Sequence, residues 1–327
     1  MGLLDIARRL GLRGAAQPQP QPESPSATRS PVRPPQSSSH RDARQAGVAG
    51  AQRNPPEQAP ATSPVDACRF FVYATGQSCL AERSMTTTER EVLRILDQAL
   101  ETPRALSSWI PRPPAVLPRL LACLRDDESS LREACSLIRA DPYLAAEVLR
   151  VANSARHQHG APVTDLERAV TRVGLDGVRR TVSASLVRPL FDSMRDPLLG
   201  QALPRLWTHA QTKSDWCQAM AGDRGVDAFD AYLAGLTHNL GWIGALKVLG
   251  RNGSTAAASG YSAEFAHALG RRSERMFGCS AEQWQVSEAL SRLGAALREC
   301  SLEELREALA QVLRQADAQA TRELAAA

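Results

Sequence analysis

Residues 129–155 constrain the fold more than any other stretch, because they predict two amphipathic helices separated by a fixed break. In the first helix, apolar residues recur at helical spacing from Leu131 to Ile138. Asp141–Pro142 ends it, since proline is excluded from helix interiors but fits the first turn of a new helix, which aspartate caps well. Asn153–Ser154 closes the second helix. We expect the rest of the chain to be arranged around this pair.

The order of these motifs, I-R-x-D-P-x-L followed by V-L-R-x-A-N-S-A, resembles the HDOD family, from about Arg112 to about Leu290. HDOD domains are bacterial signalling and regulatory domains related to the HD phosphohydrolases, and they usually lack the hydrolase activity. The resemblance implies a multi-helix domain. It also implies a structural signature at Asp141, Pro142, Asn153, Ser154, Gly174, Trp207, Gly235 and Gly241.

The first 64 residues differ in composition from the rest, with 11 of the 21 prolines and no aromatic side chain. Such a segment cannot bury enough apolar surface to offset its chain entropy, so we predict a disordered Pro/Arg-rich linker over residues 15–64. After it we predict an irregular and helical lead-in over residues 65–110 and the HDOD domain over residues 111–298. A C-terminal helix and a fraying tail, beyond about Gln315, are predicted over residues 299–327.

Residues 1–14 are a candidate for a short amphipathic helix, with Leu3, Ile6 and Leu10 on one face. Such a helix could dock on a protein partner or on a membrane surface. It could also be a fraying terminal turn, because an isolated helix this short is marginal in water. The sequence leaves these alternatives open.

No sustained β pattern occurs along the chain, and the predicted fold is therefore all-α, a single HDOD domain with a disordered N-terminal tail. The exception is residues 69–77, which predict a short strand or an extended arm. Helices are predicted from Thr86 to Leu100, from a capping box at Thr164–Glu167 to Gly174, from Pro204, from Ala231 to Leu249 without interruption, and from a capping box at Ser301–Glu304.

The HD phosphohydrolases hold divalent metals with a His on one helix, a His-Asp pair on another and a later Asp. On that pattern His209 in W-T-H matches the first His, and His238–Asn239 in G-L-T-H-N-L-G matches the pair, with Asn in place of Asp. A neutral amide offers one weak carbonyl oxygen, whereas a carboxylate supplies the charge that a divalent ion needs. The only aspartate after Leu240 is Asp317, which we expect to lie too far past the matching region to be a ligand.

These departures predict a vestigial site at His209, His238 and Asn239, with no metal, no cofactor and no catalytic residue. Both histidines are then core residues hydrogen-bonded across neighbouring helices. The expected function is non-catalytic signalling, in which the domain binds a protein partner or a small ligand and transmits a conformational state. A nucleotide second messenger is one alternative for that ligand. Residual metal-dependent phosphohydrolase or phosphodiesterase activity is the alternative of another class.

A third hypothesis is a DNA-binding helix-turn-helix, in which Arg179 and Arg180 begin the second helix. It is not favoured, because the net charge of +4 belongs to the first 64 residues and the rest is neutral. Seven cysteines without a C-x-x-C pair, and no apolar stretch near about 18 residues, predict a cytoplasmic protein without a transmembrane segment.

Overall fold

The computed structural model describes residues 64–106, 108–110, 138–139, 141–154, 162–192, 196–252, 260–284 and 286–326. The predicted N-terminal helix with Leu3, Ile6 and Leu10, the linker up to residue 63, and residues 129–137 lie outside the described residues.

Helices follow one another along the described residues, and none of these residues forms a β-strand. The prediction of an all-α fold is confirmed. The helices are α1 (Pro64–Thr75), α2 (Thr87–Glu101), α3 (Pro103–Leu106), α4 (Pro142–Ala152), α5 (Leu166–Val187), α6 (Pro197–Ala221), α7 (Ala228–His238), α8 (Leu240–Asn252), α9 (Ala263–Trp284), α10 (Glu288–Glu299) and α11 (Ala308–Ala325). None of the described helices has the length and hydropathy needed to cross a lipid bilayer.

The predicted start of α4 is confirmed. The Asp141 carboxylate accepts hydrogen bonds from the main-chain N–H groups of Tyr143 (2.8 Å) and Leu144 (3.4 Å), and Pro142 occupies the first turn. After the helix, the Asn153 amide makes two 2.8 Å hydrogen bonds with the main chain of Val163, one as donor and one as acceptor. Asn153 therefore ties the end of α4 to the segment that leads into α5.

Helix α5 contains one break, at Gly174, where φ is 75° and ψ is 166°. An L-side chain is strained at this positive φ, which explains the glycine. The predicted capping box between Thr164 and Glu167 is wrong by one residue. Asp165 is the N-cap, because its carboxylate accepts from the Arg168 main-chain N–H at 3.0 Å.

The prediction of a strand or arm over residues 69–77 is wrong, because helix α1 runs through to Thr75. Phe70, Phe71 and Ala74 are buried on this helix. The ring of Phe71 packs edge-on against Phe265 of α9, with centroids 6.2 Å apart. Aromatic residues favour strands only where a pleated surface receives them, and here the core side of α9 receives them instead.

Two further helix boundaries differ from the prediction. Helix α6 begins at Pro197, where the Asp196 carboxylate accepts from the N–H of Leu198 at 2.9 Å, and Pro204 lies inside the helix. The uninterrupted helix predicted from Ala231 to Leu249 is divided into α7 and α8 at Asn239. At this division the Asn239 side chain is fully buried and accepts a hydrogen bond from Lys213.

The predicted fraying beyond Gln315 is wrong, since α11 continues to Ala325 and buries Ala316, Ala318, Ala320 and Thr321. The Ser301–Glu304 capping box does form, with the serine N–H 2.7 Å from the glutamate carboxylate. It closes a turn, however, and α11 begins only at Ala308.

Two glycines of the predicted signature allow helices to approach closely. A Cβ atom on Gly235 of α7 would lie 2.7 Å from the Ser214 Cα of α6. A Cβ atom on Gly241 of α8 would lie 2.0 Å from the Ser273 carbonyl oxygen of α9. Both distances are shorter than van der Waals contact, so these helix pairs depend on the missing side chain.

Candidate functional site

The candidate site is built on one face of helix α6. His209 and Lys213 are four residues apart, so their side chains project from neighbouring positions on that face. Both are completely buried. Burying a charged ammonium is costly unless it is paired and hydrogen-bonded, so the contacts of Lys213 determine what this site is.

The Lys213 ammonium is surrounded by three acceptors from two other parts of the chain. Its Nζ atom lies 2.9 Å from His238 Nδ1, 2.6 Å from Asn239 Oδ1 and 2.8 Å from Asp317 Oδ1. A lysine ammonium has three N–H donors, and all three are used. The ammonium therefore lies at the point where His238, Asn239 and Asp317 converge.

A second set of hydrogen bonds joins this centre to His209. The Asn239 amide nitrogen donates to the Leu206 carbonyl oxygen at 2.9 Å and to His209 Nδ1 at 3.1 Å. Because His209 Nδ1 accepts, the proton of the neutral ring must be on Nε2, which lies 3.0 Å from Thr321 Oγ1 and donates to it. One continuous network thus crosses from α7 through α6 to α11.

The same reasoning fixes the tautomer of His238. Its Nδ1 accepts from Lys213, so its Nε2 carries the proton. Within the described part of the chain this N–H group is buried and has no hydrogen-bond partner. His238 also lines a small cavity of about 60 Å³, together with His267, Glu274 and Asp317.

The pKa values of the network agree with two neutral histidines. Burial, and then the nearby Lys213 charge, lowers the pKa of His209 to about 3. The same two causes lower the pKa of His238. Burial alone would raise the pKa of Asp317, but the Lys213 ammonium holds it below its usual range. The network therefore contains one positive charge, on Lys213, and one negative charge, on Asp317.

The structure brings the three predicted positions, His209, His238 and Asn239, into one network. It also adds three residues that the sequence reasoning left out of the site, Lys213, Asp317 and Thr321. The expectation that Asp317 lies too far along the chain is wrong, because α11 packs across α6 and places the carboxylate against the ammonium.

This donor set does not fit a divalent metal ion. A metal ion bound by both His238 Nδ1 and Asp317 Oδ1 would need the position that the Lys213 ammonium occupies. His209 Nδ1 is engaged by the Asn239 amide. Across the described ranges, no group of three or more His, Cys, Asp or Glu side chains has a geometry that could hold a metal. A metal could bind only after Lys213 had left the centre.

The predicted signature residues lie mainly at helix ends and close helix contacts rather than in the network. Ser154 Oγ donates to the Val151 carbonyl oxygen at 2.7 Å and ends α4. Trp207 lies on α6, where its ring packs against Phe191, with centroids 5.3 Å apart, and under the Arg188 guanidinium at 4.9 Å. The other signature residues cap a helix, bend a helix or allow two helices to pack closely, as described above: Asp141, Pro142, Asn153, Gly174, Gly235 and Gly241.

Two sequence signals could have identified the missed residues. Lys213 is one of only two lysines among 39 basic residues, and it lies one helical turn after His209. Asp317 and Thr321 are also four residues apart, so one face of a helix presents both to α6. Neither signal shows that the pair on α6 contacts the pair on α11, because His209 lies 112 residues before Thr321 and Lys213 lies 104 residues before Asp317.

Two solved structures are similar to this chain at the level of the fold. An HDOD domain protein with unknown function from Geobacter sulfurreducens is 21% identical, with a TM-score of 0.53 and coverage of 70% of this chain and 77% of that one. A Shewanella amazonensis SB2B protein, provisionally named as a metal-dependent phosphohydrolase, is 20% identical, with a TM-score of 0.50 and coverage of 71% and 82%. At these identities the likeness concerns the fold alone.

A sequence relative and a family model complete the comparison. An uncharacterized protein from Treponema pallidum (strain Nichols) is 30% identical over 138 residues, which are 40% of this chain. This chain spans only 25% of that protein's length. The sequence model of the HDOD domain matches residues 110–299, more than half of the chain. The chain belongs to the HDOD domain family.

Proposed function

We propose that this protein is a bacterial, non-catalytic signalling protein. Its HDOD domain binds a protein partner or a small ligand and transmits a conformational state. The single observation that carries the proposal is the Lys213 ammonium. Its Nζ atom lies within 2.9 Å of His238, Asn239 and Asp317, which are the side chains of this site that most resemble a set of metal ligands. The free thiols of Cys217 and Cys279 support a reducing, cytoplasmic setting.

A metal-dependent phosphohydrolase needs chemistry that an ammonium cannot provide. A divalent ion activates a bound water and binds phosphate oxygens at an open coordination position. The three donors of Lys213 are already used by side chains, so the ammonium offers no open position. Residual hydrolase activity would require Lys213 to leave the centre and Asn239 to replace a carboxylate as ligand. The donor set therefore favours the non-catalytic role.

The network also gives the domain a means of transmitting a state. Lys213–Asp317 and His209–Thr321 both join α6 to α11. The second pair is buried, and in the first the ammonium is buried while the Asp317 side chain is 28% exposed. Removing one partner from a buried ion pair is strongly unfavourable, so partly formed arrangements are poorly populated. A ligand or partner that displaces α6 would therefore release α11 as a unit, which is the behaviour of a two-state element.

The DNA-binding hypothesis loses support from the positions of its two arginines. Arg179 is 8% exposed, pairs with Asp176 at 3.1 Å and lies 5.9 Å from the ring centroid of Phe229. Arg180 lies near the Asp215 carboxylate, at 3.8 Å. Residues that contact phosphates or bases must reach out of the fold, and Arg179 does not.

Metal content tests the proposal. The full chain, purified without a metal-binding tag, would be measured by inductively coupled plasma mass spectrometry beside His238→Ala and a His40→Ala control, since His40 belongs to the predicted linker. We expect far less than one metal ion per chain in all three proteins, and no hydrolysis of bis(p-nitrophenyl) phosphate with added manganese. Stoichiometric metal that is lost in His238→Ala and retained in His40→Ala, together with hydrolysis, would overturn the proposal.

A further inference from the structure

A second cavity lies on the other side of helix α6. Trp207, Gln211 and Asp215 line it at four-residue intervals, whereas His209 and Lys213 alternate with them and face the buried network. Residues two apart on a helix point about 200° apart, so one helix forms a wall of both sites. The cavity has a volume of about 580 Å³ between α4, α5, α6 and α7. Small-molecule sites commonly have volumes of about 300–1,000 Å³.

Three arginines line this cavity, and each of them lies beside a carboxylate. Arg150 is held by two hydrogen bonds to the Glu147 carboxylate, at 2.8 and 3.1 Å. Arg188 contacts the Asp192 carboxylate through Nε, at 3.3 Å. Arg180 lies 3.8 Å from the Asp215 carboxylate, and its side chain is 25% exposed. The Arg188 side chain is 42% exposed, so the ends of both guanidinium groups are open to a ligand that supplies acceptor oxygens.

Aromatic side chains line the same cavity as these arginines. The Arg188 guanidinium lies 4.9 Å from the Trp207 ring centroid, which holds its plane in place from one side. Tyr143 also lines the cavity and is 52% exposed, unlike the buried aromatic side chains of the core. An exposed ring in the same cavity as the arginines offers a stacking surface for a flat heterocycle.

The wall formed by α5 presents acceptors. The Thr181 hydroxyl donates to the Gly177 carbonyl oxygen at 2.7 Å, and the Ser185 hydroxyl donates to the Thr181 carbonyl oxygen at 2.8 Å. Because each hydroxyl proton is used inside the helix, the oxygen lone pairs remain as acceptors. Such oxygens suit the hydroxyl and amino donors of a sugar or a base.

We infer that this cavity is a nucleoside phosphate site, with the phosphate at Arg180 and Arg188 and the base beside Tyr143. The inference rests on the proposed regulatory function, and it identifies the class of small ligand and its place in the fold. A ligand here contacts α6 on the side opposite Lys213. Movement of α6 on binding would therefore reach α11 through the buried ion pair.

The test is isothermal titration calorimetry on the full chain with adenosine 5′-monophosphate and guanosine 5′-monophosphate, beside inorganic phosphate and adenosine. We expect at least one nucleotide to bind more tightly than phosphate or adenosine. Arg188→Gln and Arg180→Gln should each weaken that binding by about 10-fold or more, since each removes hydrogen bonds to a charged group. Arg292→Gln is the matched control, because it removes the same charge from a guanidinium that Glu288 holds on α10 and that does not line the cavity.

The outcomes separate this inference from the proposed function. Phosphate binding as tightly as the nucleotides would identify a bare anion site and overturn the nucleoside assignment. No binding of any probe, or equal losses in Arg292→Gln and Arg188→Gln, would overturn the site altogether. Each of these results leaves the metal-content test of the non-catalytic role unaffected. Circular dichroism melting of each variant checks that a lost affinity does not reflect a lost fold.

Discussion

Replacing Lys213 by methionine tests whether the buried ammonium holds the network together. The substitution keeps the volume of the side chain but removes the charge. It leaves the Asp317 carboxylate, His238 Nδ1 and Asn239 Oδ1 without their shared donor. Breaking a buried ion pair by removing one partner costs about 3–5 kcal/mol. The Asp317 side chain is 28% exposed and can be partly hydrated, so we expect the lower end, about 3 kcal/mol.

The free energy of unfolding would be measured by urea denaturation, with tryptophan fluorescence and circular dichroism as independent probes. Lys247→Met is the matched control, because Lys247 is the only other lysine and donates to the Ser108 carbonyl oxygen near the surface, at 2.8 Å. Its loss should cost no more than about 1 kcal/mol.

A double-mutant cycle with Asp317→Asn isolates the interaction between the two charges. The double variant has no unpaired charge left in the network, so its destabilisation should be smaller than the sum of the single effects by about 1–3 kcal/mol. Additive effects, or a Lys213→Met protein within about 1 kcal/mol of the wild type, would refute the reasoning.

Two further predictions concern close packing and pH. Gly241→Ala should lower the melting temperature by several degrees, because the new Cβ would lie 2.0 Å from the Ser273 carbonyl oxygen. Gly200→Ala is the control: its Cβ would have no packing neighbour within 4 Å, so the melting temperature should stay unchanged or rise. Equal effects of the two substitutions would contradict the packing argument. In the folded protein His209 takes up a proton only near pH 3, because its pKa is lowered to about 3. In the unfolded chain it takes up a proton below about pH 6.5. Stability should therefore fall as pH falls through this window, by about 1.4 kcal/mol per pH unit from this residue. His209→Gln should remove that part of the slope in urea denaturation between pH 4 and 6, and an unchanged slope would contradict the assignment.

The local parts of the fold were predictable because their signals are local. Asp141 and Pro142 determine a helix start within four residues, and the observed cap has the predicted geometry. The position of Gly174 was likewise predictable, since a positive φ selects glycine. The strand predicted near Phe71 failed because its aromatic residues gain more from packing on α9 than their strand preference indicates.

Half of the candidate site was predictable, and the rest depends on contacts distant in sequence. Family motifs identified His209 and His238, and the replacement of a carboxylate by Asn239 was visible in the sequence. Asp317 lies in a segment rich in alanine and glutamine, which gives little hydrophobic pattern and therefore suggested fraying. Only the packing of α11 on α6 shows that the carboxylate neutralises a buried charge, and no local pattern contains that information.

The distance in sequence between Lys213 and Asp317 has a consequence for the newly made chain. The carboxylate is synthesised 104 residues after the ammonium that it neutralises, a delay of roughly 5–20 seconds at ribosomal rates. The segment matched by the family, residues 110–299, is complete before Asp317 emerges. During that interval the nascent domain would have to bury an unpaired charge or keep its core open. We expect α6 to reach its final packing only after α11 has docked, so a polypeptide shortened at the family boundary should be retained by chaperones or degraded.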